Sequence, residues 1–418
     1  MFTIDDVLRH LLNNTMDKKR LGIGLLPCIL ISIALGIGVG YVMPVWGARL
    51  FETFSCLFGS FLGFLVPFII VGFVTPAIAD IGHRAGKVLL LTAAIAYTAT
   101  VSSGLLAYFV GELTFPSLIT PRTLEGPVAE AVGVTPYFRV EIPAMFGVMT
   151  ALVFAFMTGL GIACSKGTVL RRGAEEFRDI VSATIRTVII PLLPVYIFCI
   201  FLNMTVSGQV GSVLMAFIKI IGIIFFMAAV ILILQYCVAA LFVRRNPFKL
   251  LYTMLPAYFT ALGTQSSAAT IPVTLRQAIK MGVSEEIAGF VVPLCATIHM
   301  SGSTLKIVMC ALALMIMHGL PFSLPMFAGF IAMLAVTIIA APGIPGGAIM
   351  ASLGLLASML GFSEQDQALM IALYIAMDSF GTACNVTGDG FIALIVDKFF
   401  GKKLPDEKRV DDNLIGND

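Results

Sequence analysis

The chain has 418 residues, 59% of them hydrophobic and 12% charged, with a mean hydropathy of +1.00. A soluble domain of this length has no interior large enough for that much apolar surface, so the composition predicts a polytopic membrane protein surrounded by lipid. Twenty-six basic against 24 acidic residues leave a net charge of +2, too little for a nucleic-acid partner.

The chain opens with a polar, amphipathic segment, 1–20, that has no cleavable-signal pattern. Its end, Met16-Asp-Lys-Lys-Arg20, is a basic flank that places the N-terminus in the cytoplasm. The first apolar span is predicted at 21–44 and the second at 51–81, returning to a basic loop with His83, Arg84 and Lys87. The third, 88–108, leads into a proline-containing loop, 111–141, with more acid than base, as an outer loop has. The fourth, 142–164, returns to Lys166, Arg171 and Arg172. The fifth, 176–206, contains Pro191 and Pro194, which predict kinks. The sixth, 211–243, returns to Arg244, Arg245 and Lys249.

The alternation then breaks. The stretch 250–280 is interrupted by Gly263-Thr-Gln-Ser-Ser-Ala-Ala-Thr-Ile-Pro272. As one span it would put Arg276 and Lys280 outside, whereas two half-helices with a Ser/Thr-rich tip keep the charge rule. The stretch 324–360 is broken by Ala340-Ala-Pro-Gly-Ile-Pro-Gly-Gly347, too rich in Pro and Gly for a continuous helix. Between them a span over 288–317 contains His299-Met-Ser-Gly-Ser-Thr304, and a last one covers 368–400. The expectation is an all-α membrane protein with eight transmembrane helices plus two re-entrant helical hairpins. Its parts are a cytoplasmic segment 1–20, six spans over 21–245, a hairpin-containing core over 246–400 and a cytoplasmic tail 401–418. Both termini are then cytoplasmic; Lys398, Lys402 and Lys403 agree with this for the tail.

The last span carries the chemistry. On a helical wheel Thr382, Asn385 and Asp389 fall within roughly 40° of Asp378. An Asp near a membrane centre costs about 2.5–3.5 kcal/mol, and such groups are kept where they face a cavity, an ion or a substrate. A helix–helix hydrogen-bond seam is the alternative, although seams more often use neutral polar groups. Broken apolar segments in corresponding places point to a transporter site, because half-helix ends offer free amides and carbonyls to ligands. The eight cysteines form no Cys-x-x-Cys pair, the four histidines lack metal spacing, and no nucleophile–base pair appears. No cofactor and no enzymatic activity are therefore expected. A channel-like or sensory membrane protein is the rival from another class, but it has no need of two broken hairpins around a carboxylate stripe.

The segment 250–398 resembles the dicarboxylate/amino acid:cation symporter family, the glutamate-transporter homologues. Gln265-Ser-Ser-Ala-Ala-Thr-Ile-Pro272 and the following Pro272-Val-Thr-Leu-Arg276 resemble the first hairpin, and Gly343-Ile-Pro-Gly-Gly-Ala-Ile-Met350 the second hairpin tip. Asn385-Val-Thr-Gly-Asp389 is similar to the signature of the last helix. The resemblance implies a homotrimer, a scaffold and a transport domain in each protomer, and elevator-type alternating access. It implies a small-molecule substrate, an amino acid, bound by Ser266 and Ser267 of the first tip, Gly343 and Gly346 of the second, and Asp378, Gly381, Thr382 and Asn385 of the last helix. Asp378 matches the carboxylate for the substrate ammonium. Asp389 matches a sodium-coordinating carboxylate, and Thr297 with carbonyls near 338–341 matches a second sodium site.

The departures narrow the reading. Acidic-substrate members carry Arg three residues after the ammonium-binding Asp; here stands Gly381, which leaves room for a neutral side chain. The motif Asn-Met-Asp-Gly-Thr appears as His299-Met300-Ser301-Gly302-Ser303, and the matching polar pair of the third span is aligned with Ile95 and Ala96. The ion-site set becomes Thr297, His299, Asn385 and Asp389, with His299, Ser301 and Lys306 as coupling candidates. Lys306 either supplies an internal counter-charge, by pairing with Asp389 or another carboxylate, or snorkels toward an interface. His299 is either a proton carrier or a satisfied polar group of the bundle. The expectation is a symporter of the cell (inner) membrane that takes up a neutral amino acid with a proton or few sodium ions. A symporter for acidic amino acids or dicarboxylates with non-standard charge compensation is the alternative.

Overall fold

The computed structural model describes residues 25–83, 87–119, 134–140, 142–165, 168–208, 210–339 and 346–401, and every regular element among them is a helix. The basic flank before 21, residues 120–133 and 141 of the outer loop, Arg84, Lys166, Lys402 and Lys403 lie outside the described residues. The first half contains α1 (Leu25–Gly40), α2 (Val45–His83), α3 (Lys87–Leu118) and α4 (Val148–Cys164). α5 (Val169–Thr184) passes through a π-helical turn, Ile185–Ile189, into α6 (Ile190–Val206), and α7 (Val210–Val243) follows. The wide turn falls just before Pro191, whose missing N–H disturbs the ordinary ladder there.

Among the described residues six stretches are long and apolar enough to cross a membrane: Val45–Ala79, Lys87–Leu118, Val169–Val206, Val213–Val243, Glu285–Met317 and Asp378–Phe400. The expected first and fourth spans appear as shorter apolar helices, α1 and α4.

The second half consists of paired shorter helices. α8 (Pro247–Thr264) and α9 (Ser267–Lys280) pack on each other. Their turn is tighter than the expected Ser/Thr-rich tip: Gln265 takes a left-handed conformation (φ 53°), and Ser266 caps α9 by accepting from Ala269 N. Pro272 already lies inside α9. α10 (Glu285–Ile298) and α11 (Ser301–Met317) follow, then α12 (Leu324–Ile339) and α13 (Gly347–Leu360), which also pack on each other. Residues 340–345, Gly343 included, lie outside the described residues; Gly346 enters α13 with φ +76°. α14 (Glu364–Ala376) and α15 (Asp378–Phe400) complete the fold.

Two helix breaks were not expected. The span read as continuous over 288–317 is split at His299 (φ −100°, ψ 106°) between α10 and α11. The run 368–400 is split at Met377 (φ −112°, ψ 11°) between α14 and α15. Neither interrupted residue is itself Pro or Gly, although Ser301-Gly302 just beyond the first break is a local breaker signal.

The helices form two packing groups. α1 lies along α6, and α2 packs on α4, α5 and α6. α3 and α7 join α8 to α15 in the other group, with α3 against α11 and α15 against α7, α8, α10 and α11. α13 on α2 and α14 on α1 and α6 connect the two. The apolar windows of α10–α11 and α15 are 94% buried inside the protein against 33% for α3, so the polar stripe of α15 faces protein and not lipid.

Away from the apolar spans, His318 at the end of α11 holds Asp366 in the first turn of α14, Nε2 to Oδ1 3.0 Å. The carboxylate hydrogen bond raises the His318 pKa against an opposing effect of burial. Burial raises that of Asp366, but hydrogen bonds from His318 and Ser363 outweigh it and the net shift is downward. A raised histidine stabilises below its ordinary value and loses that contribution as pH climbs through the raised value. A lowered carboxylate loses its contribution as pH falls through the lowered value. His318→Gln is therefore expected to lower the melting temperature of the detergent-solubilised protein more at about pH 6 than at about pH 8. A pH-independent difference would show that the ion pair contributes nothing.

Candidate functional site

The site is built where α15 begins. Asp378 is its first residue and 4% exposed, a favourable place for a carboxylate because the helix N-terminus carries partial positive charge. Asp378 Oδ2 accepts from Gly346 N at 2.8 Å, which brings the second hairpin to it. The neighbouring Ser379 Oγ accepts from Gln265 Nε2 at 3.0 Å, which brings the turn of the first hairpin to the same helical turn. Ser266 and Ser267 sit at that turn, and Thr382 lies one helical turn below Asp378, 7% exposed. The structure thus gathers Ser266, Ser267, Gly346, Asp378 and Thr382 around one helix end.

Lys306 is buried beside Gly381, 1% exposed, and does not reach toward an interface. Its Nζ lies 3.4 Å from Asp378 Oδ1, donates to Met377 O at 3.2 Å and sits 3.7 Å from the centre of the Tyr374 ring. The snorkelling reading is overturned, and the partner is Asp378 and not Asp389. The room expected at Gly381 is also taken: a Cβ there would lie 2.3 Å from Lys306 Cε and Nζ.

Asn385 joins the two broken spans. Its Oδ1 accepts from Gly302 N at 2.8 Å and Ser303 N at 3.3 Å, capping α11, which has no side-chain cap of its own. Free N–H groups at a buried helix start need such a partner. Asn385 Nδ2 donates to Ser303 Oγ at 3.0 Å, which also accepts from Tyr374 OH at 2.9 Å. Ser301 Oγ accepts from Gln235 Nε2 at 3.2 Å. The third span contributes through Thr100, whose Oγ1 accepts from Met300 N at 3.4 Å, and Ser103, which donates to Ser301 O at 2.8 Å. The polar residues of α3 at this break are thus Thr100 and Ser103, and not Ile95 and Ala96.

Deeper along α15, His299 Nδ1 lies 3.1 Å from Asp389 Oδ1 and 3.3 Å from the Asn385 carbonyl oxygen. The Asn385 carbonyl and an ionised Asp389 are both acceptors, which suits a ring that donates from Nδ1. These oxygens belong to two residues to which the resemblance assigns sodium, and His299 Nδ1 occupies the point where they converge. His299 Nε2, Gln235 Oε1 and Thr387 Oγ1 are buried nearby without a hydrogen-bond partner, and Gln235 Oε1 and His299 Cε1 both crowd Gly388. Thr297 stands apart: it is exposed, and its hydroxyl donates to Leu294 O at 2.8 Å. Among the described residues no group of three His, Cys, Asp or Glu is arranged to hold a metal ion.

Gln235, Tyr374, Thr100 and Ser103 are functional candidates that the sequence reading did not name. Each is a single polar residue in an apolar run, a signal no stronger than that of many hydroxyls in the chain. Tyr374 precedes Asp378 by one helical turn, but the break at Met377 hides that relation.

Over residues 25–399 the chain matches the model of the sodium:dicarboxylate symporter family. A serine/threonine transporter of Acinetobacter baumannii is 26% identical over 389 residues, spanning 88% of this chain and 95% of that protein. Excitatory amino acid transporter 3 of Mus musculus is 36% identical over 163 residues, spanning 39% of this chain and 31% of that protein.

The site depends on close approach of α11 and α15. A Cβ at Gly302 would lie 2.6 Å from Cys384 Cβ and 2.7 Å from Gly381 O, and backbone cannot give way cheaply. Gly302→Ala is expected to cost about 1–3 kcal/mol, read as a lower melting temperature in detergent. Gly289→Ala in α10, where a Cβ meets nothing within 4 Å, is the control expected to be neutral or stabilising. Equal melting of the Gly302 variant and the parent would mean that the crossing has room to spare.

Proposed function

The chain belongs to the sodium:dicarboxylate symporter family, and from that premise we propose that it takes up a small neutral amino acid by secondary active symport with a proton or few sodium ions. The observation that carries the reading is Asp378: a buried carboxylate at a helix N-terminus, bonded to Gly346 of the second hairpin and adjacent to the turn of the first. A carboxylate closed over by two loop-tipped hairpins is suited to receive a substrate ammonium and release it when a tip opens. Ser266 and Ser267 of the first tip then hold the substrate carboxylate together with Asn385, while Gly343, Gly346, Gly381 and Thr382 complete the pocket. In this reading the chain has eight spans and two re-entrant hairpins in the cell (inner) membrane, with both termini cytoplasmic. The group of α3 and α7–α15 moves as a transport domain against a scaffold of α1, α2 and α4–α6, in a homotrimer.

Lys306 supports a second reading. It brings an ammonium to the flank of Gly381, the position at which the acidic-substrate pattern has Arg. That compensation suits an acidic amino acid or a dicarboxylate. Uptake by purified protein in liposomes, over a panel of serine, threonine, alanine, aspartate, glutamate and succinate, separates the two. Concentration of the neutral compounds supports the first reading, and selective uptake of the dianions replaces it with the second. Failure to concentrate any solute would favour a channel-like or sensory protein.

For coupling, the His299–Asp389 pair supports a proton in place of at least one cation, because Asp389 has a protein partner where the resemblance places sodium. Thr297, Asn385 and Asp389 remain as sodium ligands if sodium contributes. A proton gradient alone is expected to drive accumulation, and His299→Gln to abolish that driving force. Accumulation driven by sodium alone and indifferent to pH would refute the proton assignment. Asp378→Asn is expected to weaken binding of the transported amino acid by about 2 kcal/mol or more, measured by ligand-induced thermal shift. Unchanged affinity would remove Asp378 from the substrate site.

A further inference from the structure

Both oxygens of Asp378 are engaged by the protein itself. One accepts from the Gly346 amide of the second hairpin, and the other faces Lys306 Nζ at 3.4 Å. The ammonium of Lys306 has the surroundings that a free alkylammonium would seek: a carboxylate, the Met377 carbonyl at 3.2 Å and the face of Tyr374 at 3.7 Å. Its stem crosses the space over Gly381, where any side chain would block it, since a Cβ would lie 2.3 Å from Cε and Nζ. The pair is sealed from solvent, with Lys306 1% and Asp378 4% exposed.

We propose that Lys306 is a tethered counter-ion that takes the place of the substrate ammonium on Asp378, so that the carrier returns across the membrane without substrate. This rests on the reading that Asp378 receives a substrate ammonium. A carrier that has released its substrate otherwise holds a bare carboxylate in a buried site, and moving that charge through the membrane is costly. Lys306 neutralises it from within. Gly346 bonds the other oxygen of the same carboxylate, so the second hairpin tip closes over a paired Asp378 whether the ammonium belongs to the substrate or to Lys306. When substrate arrives, its ammonium displaces Nζ from Oδ1, and the lysine keeps the Met377 carbonyl and the Tyr374 ring. Gly381 is needed because the lysine has to pass in and out over it.

The two transport modes separate this role from simple binding or packing. Exchange of labelled L-serine across liposomes loaded with L-serine uses only the loaded carrier. Net uptake into serine-free liposomes also needs the return of the unloaded carrier. Lys306→Met keeps the length and removes the charge; the ratio of net uptake to exchange is expected to fall about tenfold or more, the effect of leaving a buried carboxylate unpaired. Lys306→Arg, which restores a cation, is expected to recover part of the ratio. Gly381→Ala gives an independent route, since the added Cβ pushes an intact Lys306 off Asp378, and it is expected to lower the same ratio. A ratio that stays at the parent value in Lys306→Met and Gly381→Ala, or an Arg variant no better than Met, overturns the proposal. If the parent protein moves neither serine nor, in the same assays, threonine, alanine, aspartate or glutamate, the amino-acid reading fails and this proposal with it. That case is distinct because the loss precedes any substitution.

Discussion

Two carboxylates buried in an apolar helical interior, each with one basic partner, are the constraint around which the second half of this chain is arranged. An isolated charge at that depth costs several kcal/mol even after relaxation, so a basic neighbour favours the charged form of each carboxylate. Asp378 is paired with Lys306 and Asp389 with His299. Both basic residues come from the α10–α11 segment, and both acids from α15. The two segments therefore have to lie side by side in one register, and Gly302 and Gly381 let them do so, with a Cβ at Gly302 only 2.7 Å from the Gly381 carbonyl.

The helix breaks follow from the same demand. A continuous helix satisfies its own amides and presents nothing to a ligand, whereas a broken one exposes free N–H groups at the new start. Here α11 begins inside the protein, and its first amides are bound by Asn385 from α15. The chain restarts α15 at Asp378 in the same region, and the second hairpin delivers the Gly346 amide to it. Asn385 thus serves as an interhelix cap in addition to any contact with substrate. The polar residues behind it, Ser301, Ser303, Gln235 and Tyr374, form a bonded layer that holds the two breaks in place.

The position of Lys306 changes how the missing guanidinium at 381 is understood. The glycine does not enlarge a pocket; it admits a lysine from the facing helix. The charge near Asp378 is therefore not simply lost but supplied from another helix on a flexible stem. An ammonium on four methylenes moves more freely than a planar guanidinium held by two parallel bonds. In the proposed cycle, such a cation keeps the site neutral both with and without substrate.

The amino-acid sequence alone determined the membrane class, the helical content and the interruption of two late apolar stretches. Hydropathy and the spacing of Gly, Pro and basic residues are local properties, and they survive without knowledge of packing. The face shared by Asp378, Thr382, Asn385 and Asp389 was legible for the same reason: helical periodicity places them before any partner is known. What only the tertiary structure decided were the partners. The breaks at His299 and Met377 fall on residues that are not themselves helix breakers, and buried polar bonds across helices hold them open. The pairing of Lys306 with Asp378, of His299 with Asp389, and the cap that Asn385 gives to α11 join residues 72, 90 and 83 positions apart in the chain. Periodicity within one helix says nothing of which neighbour it will face, and in a low-dielectric interior that neighbour decides what each charge can do.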